Sequence, residues 1–217
     1  MVRKSLSVES EKVQQISRYN TSGRLGKTLR SQLIEKHHSA YDKKRGGLNL
    51  FQKFIDLDSI EYSIVQASQG NSVAAGRLDK SLSAGTALID PAWGGVYQYS
   101  THSDWLHPHF EKIMSSQANN LIAYALAYSK FKNKKYLQSA LNIHRYMDKF
   151  LISPEGAFYT SQDADLKQGK HSENYFKLTS SERIKLGIPR IDKHRYAREN
   201  GWASEAYVVL YRATKNE

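Results

Sequence analysis

The chain has 217 residues, of which 40% are hydrophobic and 24% are charged, so it is long enough for one sizeable core but not for two. Cysteine is absent, which excludes disulfide bonds, thiolate metal sites and dithiol redox chemistry within this chain. The net charge of +11 would suit an acidic partner, but the basic residues are scattered and form no groove-binding motif, so we do not expect nucleic acid as a partner.

The sequence contains no recognisable targeting segment. The first residues, MVRKSLSVESEKVQ, lack the apolar run of a signal peptide. No apolar segment approaches the roughly 18 residues that a membrane span needs. We therefore expect a cytoplasmic protein that does not use a membrane, built as a single helical domain over residues 1–217.

Apolar periodicity and capping residues predict about eight helices, joined alternately by short turns and long loops. Asp58 with Glu61 and Thr179 with Glu182 have the spacing of capping boxes, and Asn133 can cap a third helix. Pro108 suits a first helical turn, where its missing N–H would be unpaired anyway. The predicted helices cover residues 7–19, 26–41, 58–68, 72–89, 109–131, 133–151, 179–187 and 196–213. This arrangement predicts an all-α chain of stacked helical hairpins.

Several motifs carry a resemblance to a known family. GGVYQYS (94–100), DW (104–105), PHFEKIM (108–114) and AFYTSQDAD (157–165), in this order, resemble signatures of the spermatogenesis-associated thioredoxin-domain family. YDKKRGG (41–47), with Lys53 and Phe54, is similar to an earlier signature. The family joins an N-terminal thioredoxin-like domain to a six-hairpin (α/α) toroid of the kind found in glycosidases and N-acylglucosamine 2-epimerases. The resemblance therefore implies a partial six-hairpin toroid with long rim loops.

The chain also departs from the family pattern. No segment matches the thioredoxin-like domain, and Gln98 stands where the family usually has arginine. About eight helices are fewer than a closed toroid requires. We expect either a fragment of a larger protein, which we favour, or an open half-ring that covers its apolar helix faces by forming a homodimer. The resemblance also implies a thioredoxin-like domain or protein as a partner.

The rim loops hold the candidate catalytic residues, because the loops at one end of a helical toroid surround a cavity. Glu111 with Asp163 or Asp165 would supply the two carboxylates that glycoside chemistry uses, one as acid and one as base or nucleophile. An epimerase would instead need a proton-abstracting base, for which His107 and His109 are the natural candidates. The resemblance thus implies a sugar or polyol ligand and a hydrolase- or epimerase-like activity.

The candidate substrate-binding residues are aromatic side chains that can stack on a sugar and cations that can bind its polar groups. They are Trp93, Tyr97, Tyr99, Trp105, Lys112 and Arg198. No cofactor is expected. The triplet of His107, Pro108 and His109 lacks an identifiable third ligand, so we predict no metal either.

Structural roles compete with these functional ones. The aspartates of Asp163-Ala-Asp165 can cap their own loop, and Glu111 can stabilise the first turn of a helix. Lys112 can pair with an acidic loop residue, and Arg198 can form surface pairs. If these roles prevail, the chain is a non-catalytic interaction or scaffold module, or the remnant of a split gene.

Overall fold

The computed structural model describes residues 26–215, which divide between Ser39 and Ala40 into two compact units. The first unit contains helix α1 (Lys27–Ser39), whose bounds agree closely with the prediction of a helix over residues 26–41. The helix predicted over residues 7–19 lies outside the described residues. The single domain over residues 1–217 stays a prediction.

The second unit is mostly helical. Its α-helices are α2 (Leu57–Ser68), α3 (Ser72–Gly85), α4 (Met114–Phe131), α5 (Lys134–Tyr146), α6 (Glu173–Phe176), α7 (Ser180–Leu186) and α8 (Ala197–Thr214). A 3₁₀ turn (Thr86–Leu88) follows α3, and a π-helical turn (Met147–Leu151) follows α5. No helix within residues 26–215 is both long and apolar enough to cross a membrane.

Local capping chemistry explains several helix starts. The Thr179 hydroxyl and the Glu182 carboxylate form the predicted capping box of α7, and the Asn133 side chain accepts a hydrogen bond from the Lys135 N–H at α5. The prediction for α2 was wrong by two residues, since its cap is Asp56, whose carboxylate accepts from the Ser59 N–H. Asp58 instead lies in the first turn, where its charge favours the helix dipole.

Helix α4 is the centre of the core. It packs against α8, α5 and α2, and its residues Ala118, Leu121, Ala123 and Tyr124 are completely buried. The Tyr124 hydroxyl donates a 2.9 Å hydrogen bond to the Leu82 carbonyl of α3, so its polar atom is satisfied inside the core. Helix α4 is therefore buried on several sides.

Within residues 26–215, five strands of two residues each form two small antiparallel sheets. In one, β1 (Tyr99–Ser100) pairs with β2 (Pro108–His109). In the other, β4 (Ser161–Gln162) lies between β3 (Lys112–Ile113) and β5 (Ile191–Asp192).

These sheets correct the prediction for Pro108 and Glu111. The helix was expected to begin near His109, but α4 begins at Met114. The residues before it are extended because their backbone pairs with distant segments of the chain. Glu111 therefore lies between two strands, and the role of stabilising a first helical turn does not apply to it.

The DKKRGG segment forms a tight loop that is closed by a buried lysine. The Asp42 N–H donates to the Gly47 carbonyl and the Gly46 N–H to the Asp42 carbonyl, both at 2.9 Å. The Lys53 ammonium, only 1% exposed, lies 2.7 Å from the Asp42 carboxylate and donates to the carbonyls of Gly46 and Leu48. Part of the family-like signature, the loop of residues 42–47, is thus held closed by the buried Lys53. We call this arrangement of loop and lysine a clamp.

The same clamp recurs before β1. The Asp90 N–H donates to the Gly95 carbonyl and the Gly94 N–H to the Asp90 carbonyl, again both at 2.9 Å. The Lys112 ammonium lies 2.7 Å from the Asp90 carboxylate and 2.8 Å from the Gly94 carbonyl. The two clamps share the pattern Asp-x-x-x-Gly-Gly followed by a lysine, an internal repeat that the motif analysis missed.

Candidate functional site

A cleft of about 680 Å³ opens beside the two small sheets. Its walls come from three segments: the β1–β2 loop with the residues up to Glu111, the long loop after β4, and the ends of β5. Polar and apolar groups line it together, as is common for sites that bind small molecules.

The cleft brings together the residues that the sequence suggested for catalysis. All five of them line it: His107, His109, Glu111, Asp163 and Asp165. They come from two loops that are far apart in the sequence, and they meet because β3 pairs with β4. The geometry supports their grouping, while their chemical roles stay predictions.

His109 and Glu111 form the first ion-pairing group of the cleft. The His109 Nε2 atom lies 3.5 Å from the Glu111 Oε2 atom, and both side chains are about one third exposed. The His109 ring stacks on Tyr99, with 5.2 Å between the ring centroids and 20° between the planes. The backbone N–H of Gln98 donates to the backbone carbonyls of His109 and Glu111. A carboxylate beside an imidazole can fix the orientation of the ring, which general acid–base chemistry requires.

His107 makes a second imidazole–carboxylate pair at the cleft. Its Nδ1 atom lies 3.0 Å from the Asp104 carboxylate. The pKa of Asp104 is lowered, first by a hydrogen bond from the Leu106 N–H and then by His107. This pair is more exposed than the His109–Glu111 pair, since 56% of the His107 side chain is accessible.

Asp163 and Asp165 combine a local role with a place in the cleft wall. The Asp163 carboxylate accepts from the Asp165 N–H at 3.0 Å, and the Asp165 carboxylate accepts from the Gly169 N–H at 3.1 Å. The Arg190 Nε atom lies 3.8 Å from Asp163. The expected self-capping therefore occurs, and it holds both carboxylates at the cleft.

Four further titratable residues of the cleft were not predicted from the motifs: His171, Glu173, Arg190 and Asp192. The pKa of Glu173 is lowered, first by its hydrogen bond with Lys177 and also by the charges of His171 and His107. Arg190 and Asp192 belong to the segment GIPRID (187–192), which is not among the motifs described above.

Three of the predicted sugar-stacking residues are core residues instead. Trp93, Tyr97 and Trp105 are 4%, 3% and 2% exposed. The Trp93 indole N–H donates to the Ser180 hydroxyl, and that of Trp105 donates to the Arg45 carbonyl. Burial raises the pKa of the Tyr97 hydroxyl. The prediction that these rings form walls of the site is corrected, because the protein itself encloses them.

The prediction that Lys112 contacts a ligand is also corrected, because Lys112 does not line the cleft. Its side chain is fully buried and bonds Asp90, so the alternative of pairing with an acidic loop residue is confirmed. Arg183 binds the same carboxylate at 2.7 Å. Burial lowers the pKa of Lys112 to about 8 despite the opposing effect of Asp90. Burial alone would raise the pKa of Asp90, but the two cations lower it more.

Of the remaining two candidates, only Tyr99 is next to the cleft, through its stacking on His109. Arg198 is not among the cleft-lining residues. Its guanidinium bonds the carboxylate of Glu199, a buried residue, at 2.8 Å and lies over the Trp202 ring, so Arg198 forms an ion pair as its alternative role predicted. Among residues 26–215, no group of three or more histidine, aspartate or glutamate side chains has the arrangement of a metal site.

Comparisons with known proteins agree with the motif analysis. No family model matches the chain. Over 147 residues it is 29% identical to an uncharacterized protein of Caenorhabditis elegans and 27% identical to spermatogenesis-associated protein 20 of Homo sapiens. The resemblance inferred from the motifs is confirmed. These matches include 63% and 64% of this chain but 20% and 18% of those proteins, so the chain matches about a fifth of their length.

Solved structures show the fold. The cellobiose 2-epimerase of Spirochaeta thermophila has a TM-score of 0.59 at 16% identity, and the alignment covers 88% of this chain and 52% of that one. A family 76 glycoside hydrolase, an α-mannanase of Bacteroides thetaiotaomicron, has a TM-score of 0.57 at 13% identity, covering 88% and 50%. The predicted all-α fold of the six-hairpin toroid type is therefore confirmed, and this chain corresponds to about half of those structures.

Proposed function

We propose that the chain binds a saccharide in this cleft and acts on it by general acid–base chemistry. The observation that carries the proposal is the convergence of His107, His109, Glu111, Asp163 and Asp165 on one cleft. The names of the structural neighbours, cellobiose 2-epimerase and α-mannanase, support a sugar as the ligand.

Proton transfer next to a sugar carbonyl is the reaction that the cleft supports best. A base must remove a proton from the carbon beside the carbonyl of the open-chain sugar, and an acid must return a proton to the other face. His109, paired with Glu111, is our candidate for the base because imidazole is the commonest general base in enzymes and the carboxylate can fix its orientation. His107, paired with Asp104, is our candidate for the acid.

Hydrolysis is the second candidate. The observation in its favour is that Asp163 and Asp165 line the same cleft as Glu111, which offers the two carboxylates of glycoside cleavage. In that reaction one carboxyl group protonates the leaving oxygen, and the other activates water or attacks the sugar.

Both reactions can be followed by proton NMR of the purified chain in D₂O with cellobiose or α-1,6-mannotriose. Exchange of the proton at carbon 2 of the reducing sugar would indicate the epimerase-like reaction, whereas release of glucose or mannose would indicate hydrolysis. Binding of the same sugars is measured by calorimetry.

Glu111→Gln tests the assignment of the first pair. The change removes the negative charge with little change in shape, so we expect turnover to fall by roughly 10²- to 10⁴-fold, the usual contribution of a general acid or base group. Glu205→Gln, at an exposed position on α8, is the matched control and should keep full activity. Full activity of Glu111→Gln would remove Glu111 from the mechanism. If the unchanged protein neither binds nor converts any of these sugars, the proposed function is wrong.

A further inference from the structure

A run of rings leads from the cleft to the surface of the protein. His107 lines the cleft, and its ring centroid lies 4.4 Å from that of His102. The His102 ring lies 5.8 Å from the Phe51 ring, at an angle of 45°. The three rings thus form a continuous path that begins at a residue of the site described above.

The outer end of this path is exposed and apolar. Phe51 is 71% exposed, and Leu106, which also lines the cleft, is 68% exposed. Leu50 and Phe54, close to Phe51 in the chain, are 45% and 40% exposed. Exposed apolar side chains beside a cleft can extend its binding surface.

Polar groups lie around these rings. The Thr101 hydroxyl is 3.0 Å from the His102 Nδ1 atom, and Thr101 also lines the cleft. The Arg45 guanidinium donates to the Ser103 carbonyl at 3.2 Å. Exposed rings with hydrogen-bonding groups beside them suit a sugar ring, which has apolar C–H faces and a rim of hydroxyl groups.

We propose that Phe51, His102 and Leu106 form an outer subsite for a second sugar unit of the saccharide held in the cleft. The continuity of the path with His107 favours this occupant over a protein segment, because a ligand that leaves the cleft at His107 meets His102 and then Phe51. The inference rests on the proposed function and adds the size class of the ligand: an oligosaccharide binds more tightly than a monosaccharide.

Calorimetry of the full chain with D-mannose and with α-1,6-mannotriose tests this subsite. The unchanged protein should bind the trisaccharide more tightly than mannose. Phe51→Ala should weaken binding of the trisaccharide by about three- to tenfold, the effect of losing one ring contact, and leave the affinity for mannose unchanged. Phe51→Tyr keeps the ring and should restore the binding. Phe131→Ala, on a partly exposed phenylalanine that lines a separate pocket, is the matched control.

Three results would overturn the subsite while leaving the proposed function in place. They are equal affinity of the unchanged protein for the two sugars, no effect of Phe51→Ala on the trisaccharide, and an equal loss for both sugars. The second result would direct the search towards a protein partner for this surface. If neither sugar binds the unchanged protein, both the subsite and the proposed function are wrong.

Discussion

Two glycines of the loop clamps and one glycine of a separate turn, Gly156, offer a graded test of how tightly the fold is packed. Gly156, Gly46 and Gly94 have φ angles of +83°, +76° and +73°, so alanine at any of them meets nearly the same backbone strain. They differ in the space around the added Cβ atom. At Gly156 nothing lies within 4 Å, at Gly46 the Lys80 carbonyl oxygen would be at 3.0 Å, and at Gly94 the Asn142 carbonyl oxygen would be at 2.1 Å.

These distances set the expected loss of unfolding free energy for each alanine variant. Gly156→Ala should cost about 1–2 kcal/mol of unfolding free energy, which is the strain of a left-handed residue that carries a Cβ atom. Gly46→Ala adds a tight contact that a small backbone shift relieves, so its cost should be slightly higher. Gly94→Ala adds about 1–3 kcal/mol for overpacking against a backbone oxygen, for a total of about 2–5 kcal/mol.

Urea denaturation of the three variants beside the unchanged chain, followed by circular dichroism, gives the free energies of unfolding. The expected order of cost is Gly156→Ala, then Gly46→Ala, then Gly94→Ala. If Gly94→Ala cost no more than Gly156→Ala, the close approach of the Gly94 loop to α5 would not hold in solution, and the packing argument would be refuted.

Two further predictions concern the ion pairs of the clamps. Lys112→Met should lower the free energy of unfolding by about 3 kcal/mol in the same assay, the lower end of the range for a broken buried pair, because Arg183 still binds Asp90; an unchanged free energy would contradict a buried ion pair. Burial raises the pKa of Asp42, but hydrogen bonds from Lys53 and from backbone N–H groups lower it more, so it lies below its ordinary value of 3.8. Its stabilisation is therefore complete above that pH and is lost as the pH falls through the lowered pKa. Asp42→Asn should melt at a lower temperature than the unchanged chain at pH 6, with the difference shrinking below pH 4. A difference that stays constant from pH 6 to pH 2 would argue against the Asp42–Lys53 pair.

Local signals in the sequence were enough to predict most of the helices. The capping box of Thr179 and Glu182 depends on residues three positions apart, and the apolar circumference of α4 is visible within one segment. The extended conformation of Pro108 could not be predicted in this way, because it depends on pairing with Tyr99–Ser100 across a loop. Proline also suits a helix start, and the local pattern did not distinguish the two.

Some residues of the candidate site could likewise be predicted from the sequence, and others could not. His107, His109 and Glu111 lie close together in the sequence, and the family-like motif order predicted that the Asp163 loop would join them. The roles of the large aromatic residues were ambiguous, because Trp93 serves equally well as a core residue or as a platform for a sugar. The clamp lysines show the same ambiguity, since a charge can face solvent or pair inside the protein, and the partner of Lys112 is far away in the chain.

In and beside the sheet of β3, β4 and β5, residues that pack into the protein alternate with residues that line the cleft. Lys112, Gln162 and Ile191 point into the protein, where they contact Asp90, the Tyr146 hydroxyl and the apolar core respectively. Their neighbours Glu111 and Asp163 face the cleft instead. Because side chains alternate along a strand, selection can replace the outward residues while the inward ones keep the backbone in place. The side chains that line the cleft can therefore change while the fold of the sheet stays the same.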